Sequence, residues 1–252
     1  MKNLIFVVKH KRYKVPNVIP YKSISVGSNY KTFQADYHDN TGKNNIALKN
    51  DNYCELTAQY WIYKNISNQY DNIGLNHYRR YFANSKFERF TLLKNEKIDD
   101  YLKKYDIILP NPWRWNISVA ENYYIVGCGK KKDLMTTRNV IKKYYPDYLE
   151  SFDRVLNSKE ASYCTMLVTS RNLFNKYNKW LFTVLEHVEK NTDLGNYTPA
   201  EARIYGYLSE LLLNVWVSKN QLKVKYLPMI KKDNSFKDLI KSKVKFFSKG
   251  RI

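Results

Sequence analysis

The chain has 252 residues, of which 44% are apolar and 15% aromatic, and it carries a formal net charge of +20. This length and composition exclude a disordered chain and are typical of one large globular domain with a substantial core. The charge indicates an anionic partner, namely nucleic acid, an anionic membrane surface or a phosphorylated small molecule.

The N-terminal part of the chain predicts two strands and a helix. The apolar run Leu4–Val8 is typical of a strand covered on both faces of a parallel sheet, and it is too short for a signal peptide. A second short strand is expected at Ser23–Val26. The segment Asn52–Asn65 has helical spacing, with Asn52 as a candidate N-cap and Glu55 at the position that closes a capping box.

From residue 73 onward, apolar runs of strand length alternate with segments of helical spacing. Such alternation is typical of an α/β domain with a mostly parallel central sheet flanked by helices, and we assign residues 1–232 to it. No run of about 18 apolar residues is present, so no transmembrane helix is expected. The predicted strands are Ile73–Leu75, Tyr105–Pro110, Tyr163–Val168 and Val224–Leu227, and the predicted helices are Asp99–Lys104, Asp133–Tyr144, Leu173–Lys190 and Thr198–Ser218.

Residues 233–252 differ in character from the domain. Leu239, Ile240, Val244 and Phe247 fall roughly on one helical face, and lysines surround them. A basic amphipathic tail of this kind can lie on an anionic bilayer. We therefore predict a cytoplasmic protein that is peripheral on the inner face of the plasma membrane; the alternative is a solvated tail.

The segment Asn72–Phe82 carries the strongest functional signal. A short apolar strand leads directly into His77, Arg79 and Arg80. Two guanidinium groups at the end of a core strand can neutralise a diphosphate, because each presents a planar fork of donors to phosphate oxygens. The alternative is that the two arginines mark only the exposed end of the strand.

Three carboxylates are candidate general bases because aromatic neighbours give each of them partly apolar surroundings: Glu55, Glu201 and Glu210. Each also has a structural explanation. Glu55 and Glu201 can close capping boxes, and this explanation is favoured for Glu201. Glu210 can pair with Arg203 or Asn214 on its own helix.

Motifs for metal sites, phosphate loops and nucleophiles are missing from the sequence. The four histidines are scattered and no Asp-x-Asp pair follows a strand, so the sequence predicts no metal ligands and leaves dependence on Mn²⁺ or Mg²⁺ open. There is no Walker loop, GxGxxG or GxSxG motif. The three cysteines form no CxxC pair, which indicates unpaired thiols in a reducing compartment.

Three blocks together resemble a known bacterial family. They are Asn52–Asn65, Ile73–Phe82 and Ala202–Glu210, and the resemblance extends from Val7 to Pro228. The family has long been labelled a domain of unknown function and is found in capsule and exopolysaccharide loci. Its members are taken to be glycosyltransferases, and some are assigned as galactofuranosyltransferases. The His-Tyr-Arg-Arg-Tyr block is highly specific for it.

The resemblance implies a GT-A-like fold, a nucleotide-diphospho-sugar donor and a saccharide acceptor. The block with Arg79 and Arg80 falls where GT-A enzymes usually carry a metal-binding Asp-x-Asp pair. Positive side chains would then stabilise the leaving diphosphate in place of a metal. Other positions that match donor-proximal parts of the family are His10, Lys11, Asn44, Asn45, Asn76 and Tyr78.

Together, residues and resemblance predict a hexosyltransferase that moves a sugar, galactofuranose among the candidates, from a UDP-sugar to a lipid-linked saccharide in capsule, exopolysaccharide or other surface-glycan synthesis. His77 would orient the donor, and Glu55 or Glu210 would deprotonate the acceptor hydroxyl in an inverting reaction. Arg203 would bind an anionic or hydroxyl-rich part of the ligand. Rings on which sugars could stack belong to Tyr60, Trp61, Tyr78 and Tyr81.

Two other functions are compatible with the sequence. A nucleic-acid-binding protein would explain the net charge and the abundant tyrosines, but no RRM, OB, KH or helix-turn-helix signature accompanies them. Nucleic acid is therefore the less expected partner. The second alternative is an inactive family member that acts as an assembly subunit. Binding of UDP would separate the enzyme from both.

Overall fold

The computed structural model describes residues 1–27 and 33–232, which form an α/β domain around one central sheet. The strands are β1 (Asn3–Lys9), β2 (Tyr21–Ser25), β3 (Tyr37–His38), β4 (Asn72–His77), β5 (Arg80–Phe82), β6 (Ile107–Pro110), β7 (Trp113–Arg114), β8 (Glu160–Ala161), β9 (Leu167–Ser170), β10 (Val224–Leu227) and β11 (Met229–Lys231). The helices are α1 (Asn50–Tyr53), α2 (Leu56–Asn65), α3 (Asn95–Leu102), α4 (Val119–Glu121), α5 (Lys131–Tyr144), α6 (Leu149–Asn157), α7 (Arg171–Lys190) and α8 (Ile204–Lys219).

The central sheet is mostly parallel, as predicted from the alternation of strands and helices. Its strand order is β10-β6-β9-β4-β1-β2-β3, and among these strands only β9 runs opposite to the others. The short strands β5 and β11 form an antiparallel extension beside β4, and β7 and β8 form a separate ribbon. The predicted α/β architecture, with a mostly parallel sheet flanked by helices, is confirmed.

Apolar side chains cover both faces of the sheet, which explains the uninterrupted apolar sequence of β1. Leu4, Phe6 and Val8 point into the larger core cluster, where α2 and α5 to α8 pack. Ile5 and Val7 point into a smaller cluster with α3 and the β5–β11 pair. Successive residues of a strand face opposite sides, so a strand buried on both sides needs apolar residues at every position.

The helix predicted over residues 52–65 is interrupted, which corrects its proposed capping box. Cys54 adopts φ 53° and ψ −132°, so α1 ends at Tyr53 and α2 begins at Leu56. Asn52 does not cap α2; its side-chain amide donates to the Ala202 carbonyl at 2.8 Å. The break releases Glu55 from the helical register and lets its carboxylate face the end of β4.

One further predicted boundary shifts for a reason of backbone conformation, and one predicted capping box forms. The strand expected from residue 163 begins only at Leu167, because Cys164 and Thr165 have φ of 78° and 49°, which a strand does not accommodate. At the other end of the chain, Thr198 and Glu201 do form the reciprocal hydrogen bonds of a capping box. Glu201 therefore closes a capping box, which was the explanation favoured for it.

The described chain ends next to the β4–β5 turn. The Lys232 amide donates to the Arg79 carbonyl at 2.9 Å, and the Tyr13 hydroxyl donates to the Lys232 carbonyl at 2.6 Å. The predicted basic tail, residues 233–252, lies outside the described residues. Over the part of the chain that is described, no helix has the length and apolar character needed to cross a bilayer.

Candidate active site

A cavity of about 890 Å³ lies at the carboxyl ends of β1, β2 and β4. This edge of a parallel sheet is where α/β proteins commonly bind ligands, because the loops that follow the strands converge there. Chain segments that begin α1 and α8 close the other side. Eight residues that the sequence singled out line the cavity: His10, Lys11, Glu55, His77, Tyr78, Arg79, Arg80 and Arg203.

The β4–β5 connection is a two-residue turn that places Arg79 and Arg80 at the cavity. His77 and Arg80 pair across the two strands, which leaves Tyr78 and Arg79 as the turn residues. The Tyr78 amide donates to the Val8 carbonyl at 2.9 Å and fastens the turn to the end of β1. The two arginines therefore sit at the carboxyl edge through strand register rather than through a flexible loop.

The ring of Tyr78 supports a group of basic side chains. The Arg79 guanidinium carbon lies 5.1 Å and the Lys11 Nζ 5.6 Å from the ring centroid, and His10 packs edge-on at 5.0 Å. Such contacts hold a cation without neutralising it. Among the described residues, no carboxylate forms an ion pair with Lys11, Arg79 or Arg80. Their positive charge is therefore free to meet an anionic ligand.

His77 links the cation group to a carboxylate. Its Nε2 contacts the Cys164 carbonyl, and its Nδ1 lies 3.4 Å from Oε1 of Glu55. A carbonyl oxygen only accepts, so Nε2 carries a proton and Nδ1 is the nitrogen that can exchange one with Glu55. Burial lowers the pKa of His77, although the Glu55 charge opposes this. The pair can thus pass a proton between an imidazole and a carboxylate beside the cavity.

Glu210 is not among the residues that line the cavity, so the structure does not bring this candidate base directly to it. Its Oε1 accepts a hydrogen bond from the Cys164 amide at 3.0 Å. Burial, with a smaller contribution from the Glu55 charge, raises the pKa of Glu210 to about 7. The backbone of Cys164 is therefore held on both sides, by Glu210 at the amide and by His77 at the carbonyl.

The expected pairing of Glu210 with a neighbour on its own helix is not formed through its side chain. The Asn214 side chain instead accepts from the Ser162 amide at 2.9 Å and donates to the Ser162 carbonyl at 2.8 Å. Together, Glu210 and Asn214 fix the backbone of residues 162–164, which precedes β9. This part of α8 acts on the site through that segment.

Arg203 reaches the cavity from the start of α8. Its Nε donates to the Cys54 sulfur at 3.1 Å, and its guanidinium carbon lies 5.7 Å from the Tyr207 ring centroid. Burial raises the pKa of the Cys54 thiol to about 11, which keeps the sulfur neutral near pH 7. Arg203 therefore retains its charge at the cavity, on the wall opposite the β4–β5 turn.

The sequence predicts no metal ligands at this site. Over residues 1–27 and 33–232, no three His, Cys, Asp or Glu side chains are grouped so that they could hold a metal ion. The lining does contain two carboxylates, Asp51 and Glu55, of which Glu55 is engaged with His77. A Mg²⁺ that is bound together with substrate phosphates needs only one or two carboxylates, so metal dependence is decided by donor binding with and without Mn²⁺.

A family model described as a domain of unknown function (DUF4422) matches residues 4–221. The chain belongs to this family. The expected membership of a family labelled in this way is thus confirmed. No curated protein matches the chain.

This DUF4422 domain is similar in structure to a solved glycosyltransferase. The apo structure of the bifunctional glycosyltransferase WbbM superposes with a TM-score of 0.84 at 28% sequence identity. The match covers 93% of this chain and 46% of that one, so the DUF4422 chain spans about half the length of WbbM.

Three aromatic residues predicted to stack on sugars lie elsewhere in the DUF4422 domain. Tyr81 is 0% exposed in the smaller core cluster, and Trp61 is buried with its indole N–H donating to the Thr41 carbonyl. Tyr60 lines a different recess, edge-on to Phe182. Aromatic residues suit both cores and sugar sites, so residue type did not distinguish the two.

Three predicted donor-binding asparagines are also outside the cavity lining. The side chain of Asn45 donates to the Gly42 carbonyl, and the Asn44 carbonyl accepts from Asn65, so both belong to a self-bonded loop. Asn76 is 0% exposed, and its side-chain oxygen and nitrogen are buried without a partner among the described residues. The structure therefore gives none of the three a direct contact with this cavity.

Sequence reasoning missed Asn50 and Asp51, which line the cavity from α1. Asn50 donates to the Cys54 carbonyl at 2.7 Å, and its side chain lies against Gly27, where a Cβ would approach within 2.8 Å. Gly27 has φ +68°, so glycine is favoured there by both conformation and space. The available signal was the polar run Lys49–Asn52, of which only Asn52 belonged to the predicted helix.

Proposed function

We propose that this DUF4422 domain is a glycosyltransferase that moves a sugar from a nucleotide-diphosphate donor to a saccharide hydroxyl. The observation that carries the proposal is the cavity in which Arg79 and Arg80 lie beside the His77–Glu55 pair. Such a transfer needs positive charge at the leaving diphosphate and a base at the attacking hydroxyl. The similarity to WbbM at 28% identity supports the same class of reaction.

Arg79, Arg80 and Lys11 would bind the diphosphate. As the bond between the anomeric carbon and the diphosphate oxygen breaks, negative charge grows on the leaving group, and fixed cations stabilise it most when they are already in place. The Tyr78 ring and the strand register supply that fixed arrangement. On the opposite wall, Arg203 would bind a hydroxyl-rich or anionic part of the ligand.

Glu55 would act as the base in an inverting transfer. It would accept the proton of the acceptor hydroxyl while that oxygen forms the new bond at the anomeric carbon, and the diphosphate would leave with the electron pair of the broken bond. His77 would orient Glu55 through its Nδ1, 3.4 Å from Oε1. Since Glu210 does not line the cavity, the choice between the two carboxylates falls on Glu55.

The family resemblance supports a proposal for the donor, the acceptor and the location of the reaction. We propose a GT-A-like enzyme with a UDP-hexose donor, galactofuranose among the candidates, and a lipid-linked saccharide acceptor in surface-polysaccharide synthesis. The protein would work at the inner face of the plasma membrane, with residues 233–252 as its anchor. Deletion of residues 236–252 should then weaken liposome binding and leave donor hydrolysis unchanged.

Calorimetry tests the donor site directly. UDP, UDP-galactopyranose and UDP-galactofuranose would be titrated into the wild type, Arg79→Ala and Arg114→Ala, each with Mn²⁺ and with EDTA. Arg114 is an exposed arginine paired with Glu160 on the β7–β8 ribbon, so its variant is the matched control. We expect the wild type to bind UDP. In Arg79→Ala the affinity for UDP should fall at least about tenfold, because charge-assisted phosphate contacts are strong. In Arg114→Ala it should be unchanged.

The outcomes separate the alternatives. Equal binding with Mn²⁺ and EDTA would support arginines in place of a cation, whereas binding only with Mn²⁺ would assign the diphosphate to a metal. No binding of any uridine diphosphate would overturn the enzyme proposal in favour of an inactive assembly subunit. Salt-sensitive binding of oligonucleotides without UDP affinity would favour the nucleic-acid alternative.

A further inference from the structure

The loop between β5 and α3 presents two phenylalanines to solvent. Phe87 is 98% exposed and Phe90 is 94% exposed, and they lie three positions apart in one short tip. A single exposed apolar residue is normal on a protein surface, but two neighbouring, almost fully exposed aromatic rings indicate a surface that meets another apolar phase.

The tip is held in place by the loop beneath it. The Leu93 amide donates to the Phe82 carbonyl at 3.0 Å, and the Asn84 amide donates to the Thr91 carbonyl at 2.8 Å. The Tyr101 hydroxyl donates to the Asn84 carbonyl at 2.9 Å. Because the backbone is already ordered, docking of the two rings would cost little further conformational entropy.

Basic side chains flank the rings. Lys86 and Arg89 belong to the same tip, and they share a recess of about 660 Å³ with Phe90, Ile230 and Lys231. The acidic residue of the tip, Glu88, is turned toward the loop base, where its Oε2 accepts from the Asn84 side chain at 2.6 Å. The exposed tip thus carries two aromatic rings and two basic side chains beside the single carboxylate of Glu88.

We propose that the tip Lys86–Phe90 docks on an anionic bilayer, with Phe87 and Phe90 in the interfacial region and Lys86 and Arg89 at lipid phosphates. Aromatic rings with basic neighbours are the combination that binds the headgroup boundary of anionic membranes. The charge of the whole chain, +20, favours the same partner.

The proposal gives the domain a membrane contact separate from residues 233–252. The tip and the diphosphate-binding arginines are joined by β5, whose three residues span about 10 Å at the usual rise per residue. Because β5 runs antiparallel to β4, it leads from Arg80 at the cavity to the tip at its other end. Docking at the tip does not depend on the identity of the transferred sugar.

Vesicle sedimentation of the full chain tests the proposal. The wild type and the double variant Phe87→Ser/Phe90→Ser would be mixed with vesicles of phosphatidylcholine, with and without phosphatidylglycerol. The matched control is Leu48→Ser/Met135→Ser, since Leu48 is 100% exposed and Met135 58% exposed outside the tip. UDP binding and the melting temperature of each variant would also be measured. A loss of UDP binding would report on the proposed donor site, and a loss of vesicle binding alone would report on the tip.

We expect the partition coefficient on phosphatidylglycerol vesicles to fall at least about tenfold in the tip variant, because the two aromatic rings that enter the membrane interface are lost. In the control variant it should fall less than about twofold. The difference should persist at high salt, where attraction between the basic chain and the vesicle is screened. Equal partitioning of the tip variant and the wild type would overturn the proposal. Self-association of the wild type in light scattering, lost in a tip variant that still partitions normally, would overturn it in favour of a second copy as the partner.

Discussion

Positive charge at the cavity wall and the buried carboxylate of Asp133 in the first turn of α5 are held in different ways. At the wall, Lys11 and Arg79 lie against the Tyr78 ring, and in the described part of the chain no carboxylate pairs with them. The Asp133 carboxylate, which is not part of the cavity lining, accepts from the Lys130 amide and from the hydroxyls of Tyr123 and Tyr197. The two cations are thus positioned but not neutralised, whereas the Asp133 carboxylate has three hydrogen-bond donors.

The difference separates residues that bind from residues that support. A buried charge with its own hydrogen-bond donors contributes to folding, and its removal leaves those donors without an acceptor. A cation that rests on an aromatic ring keeps most of its interaction with an incoming anion. Substitutions at the cavity wall should therefore change ligand binding and reaction rates. Substitution of Asp133 should instead change the stability of the fold.

The largest effect is expected for Glu55→Gln. Loss of the base should lower the rate of sugar transfer by about 10²- to 10⁴-fold, which is the usual contribution of general base catalysis. The affinity for UDP should stay within about twofold of the wild type, because the proposal gives Glu55 no contact with the diphosphate. Steady-state transfer assays and calorimetry would measure both. Asp51→Asn removes the other cavity carboxylate, and an equal loss in that variant would contradict the assignment.

A smaller effect, on folding rather than on rate, is expected for Asp133→Ala. Removal of this acceptor should lower the free energy of unfolding by about 1–3 kcal/mol, the cost of leaving buried donors unsatisfied. Chemical denaturation would measure it. Asp147→Ala is the control, because Asp147 forms an exposed ion pair with Lys219 and such pairs contribute little. Comparable losses in the two variants would contradict the distinction.

Tyr78→Leu should reduce UDP affinity without abolishing it. The cations would remain but lose the ring that orients them, and cation–π contacts at partly exposed sites contribute about 0.5–1 kcal/mol. We expect about a two- to fivefold rise in the dissociation constant, which is what that energy corresponds to. Tyr78→Phe keeps the ring and should bind UDP like the wild type. Unchanged affinity in Tyr78→Leu would show that the ring does not order the cations.

A change in the pH dependence of stability, rather than in rate or affinity, is expected for Glu210→Gln. Burial raises the pKa of Glu210 from 4.5 to about 7, so the folded state retains a proton that the unfolded state releases between these values. The stability contributed by the neutral carboxyl is therefore full below pH 4.5. It is lost as the pH rises toward about 7 and stays lost above it.

Gln has no such titration. The melting temperature of Glu210→Gln relative to the wild type should therefore rise across this pH interval and level off above it. Thermal melts at several pH values would measure it. A constant difference at every pH would contradict the raised pKa.

Much of the fold and the central part of the site could be predicted from local sequence. The apolar run of β1 and the placement of His77, Arg79 and Arg80 at the end of β4 depend on strand periodicity, which sequence encodes directly. Parallel strands end at one edge, so these residues were expected to meet the segment after β1. His10 and Lys11 do meet them there.

The rest depends on contacts between distant segments. The break at Cys54 brings its side chain against Gly206, where a Cβ would lie 3.1 Å from the sulfur, and no local pattern encodes that approach. The position of Glu55 follows from the break. Trp61 and Tyr81 have residue types that suit a sugar site equally well, and only the packing of the helix layer and of β5 assigns them to the core.

The bond between the Lys232 amide and the Arg79 carbonyl has a practical consequence for engineering this protein. Whatever follows Lys232 is connected, through one hydrogen bond, to the turn that carries a proposed phosphate ligand. Tension or bulk applied from that end would be transmitted to Arg79, whereas the amino terminus enters at the opposite end of β1. Purification tags and surface tethers should therefore be attached at Met1, and a carboxyl-terminal fusion would serve as a deliberate handle for altering nucleotide affinity.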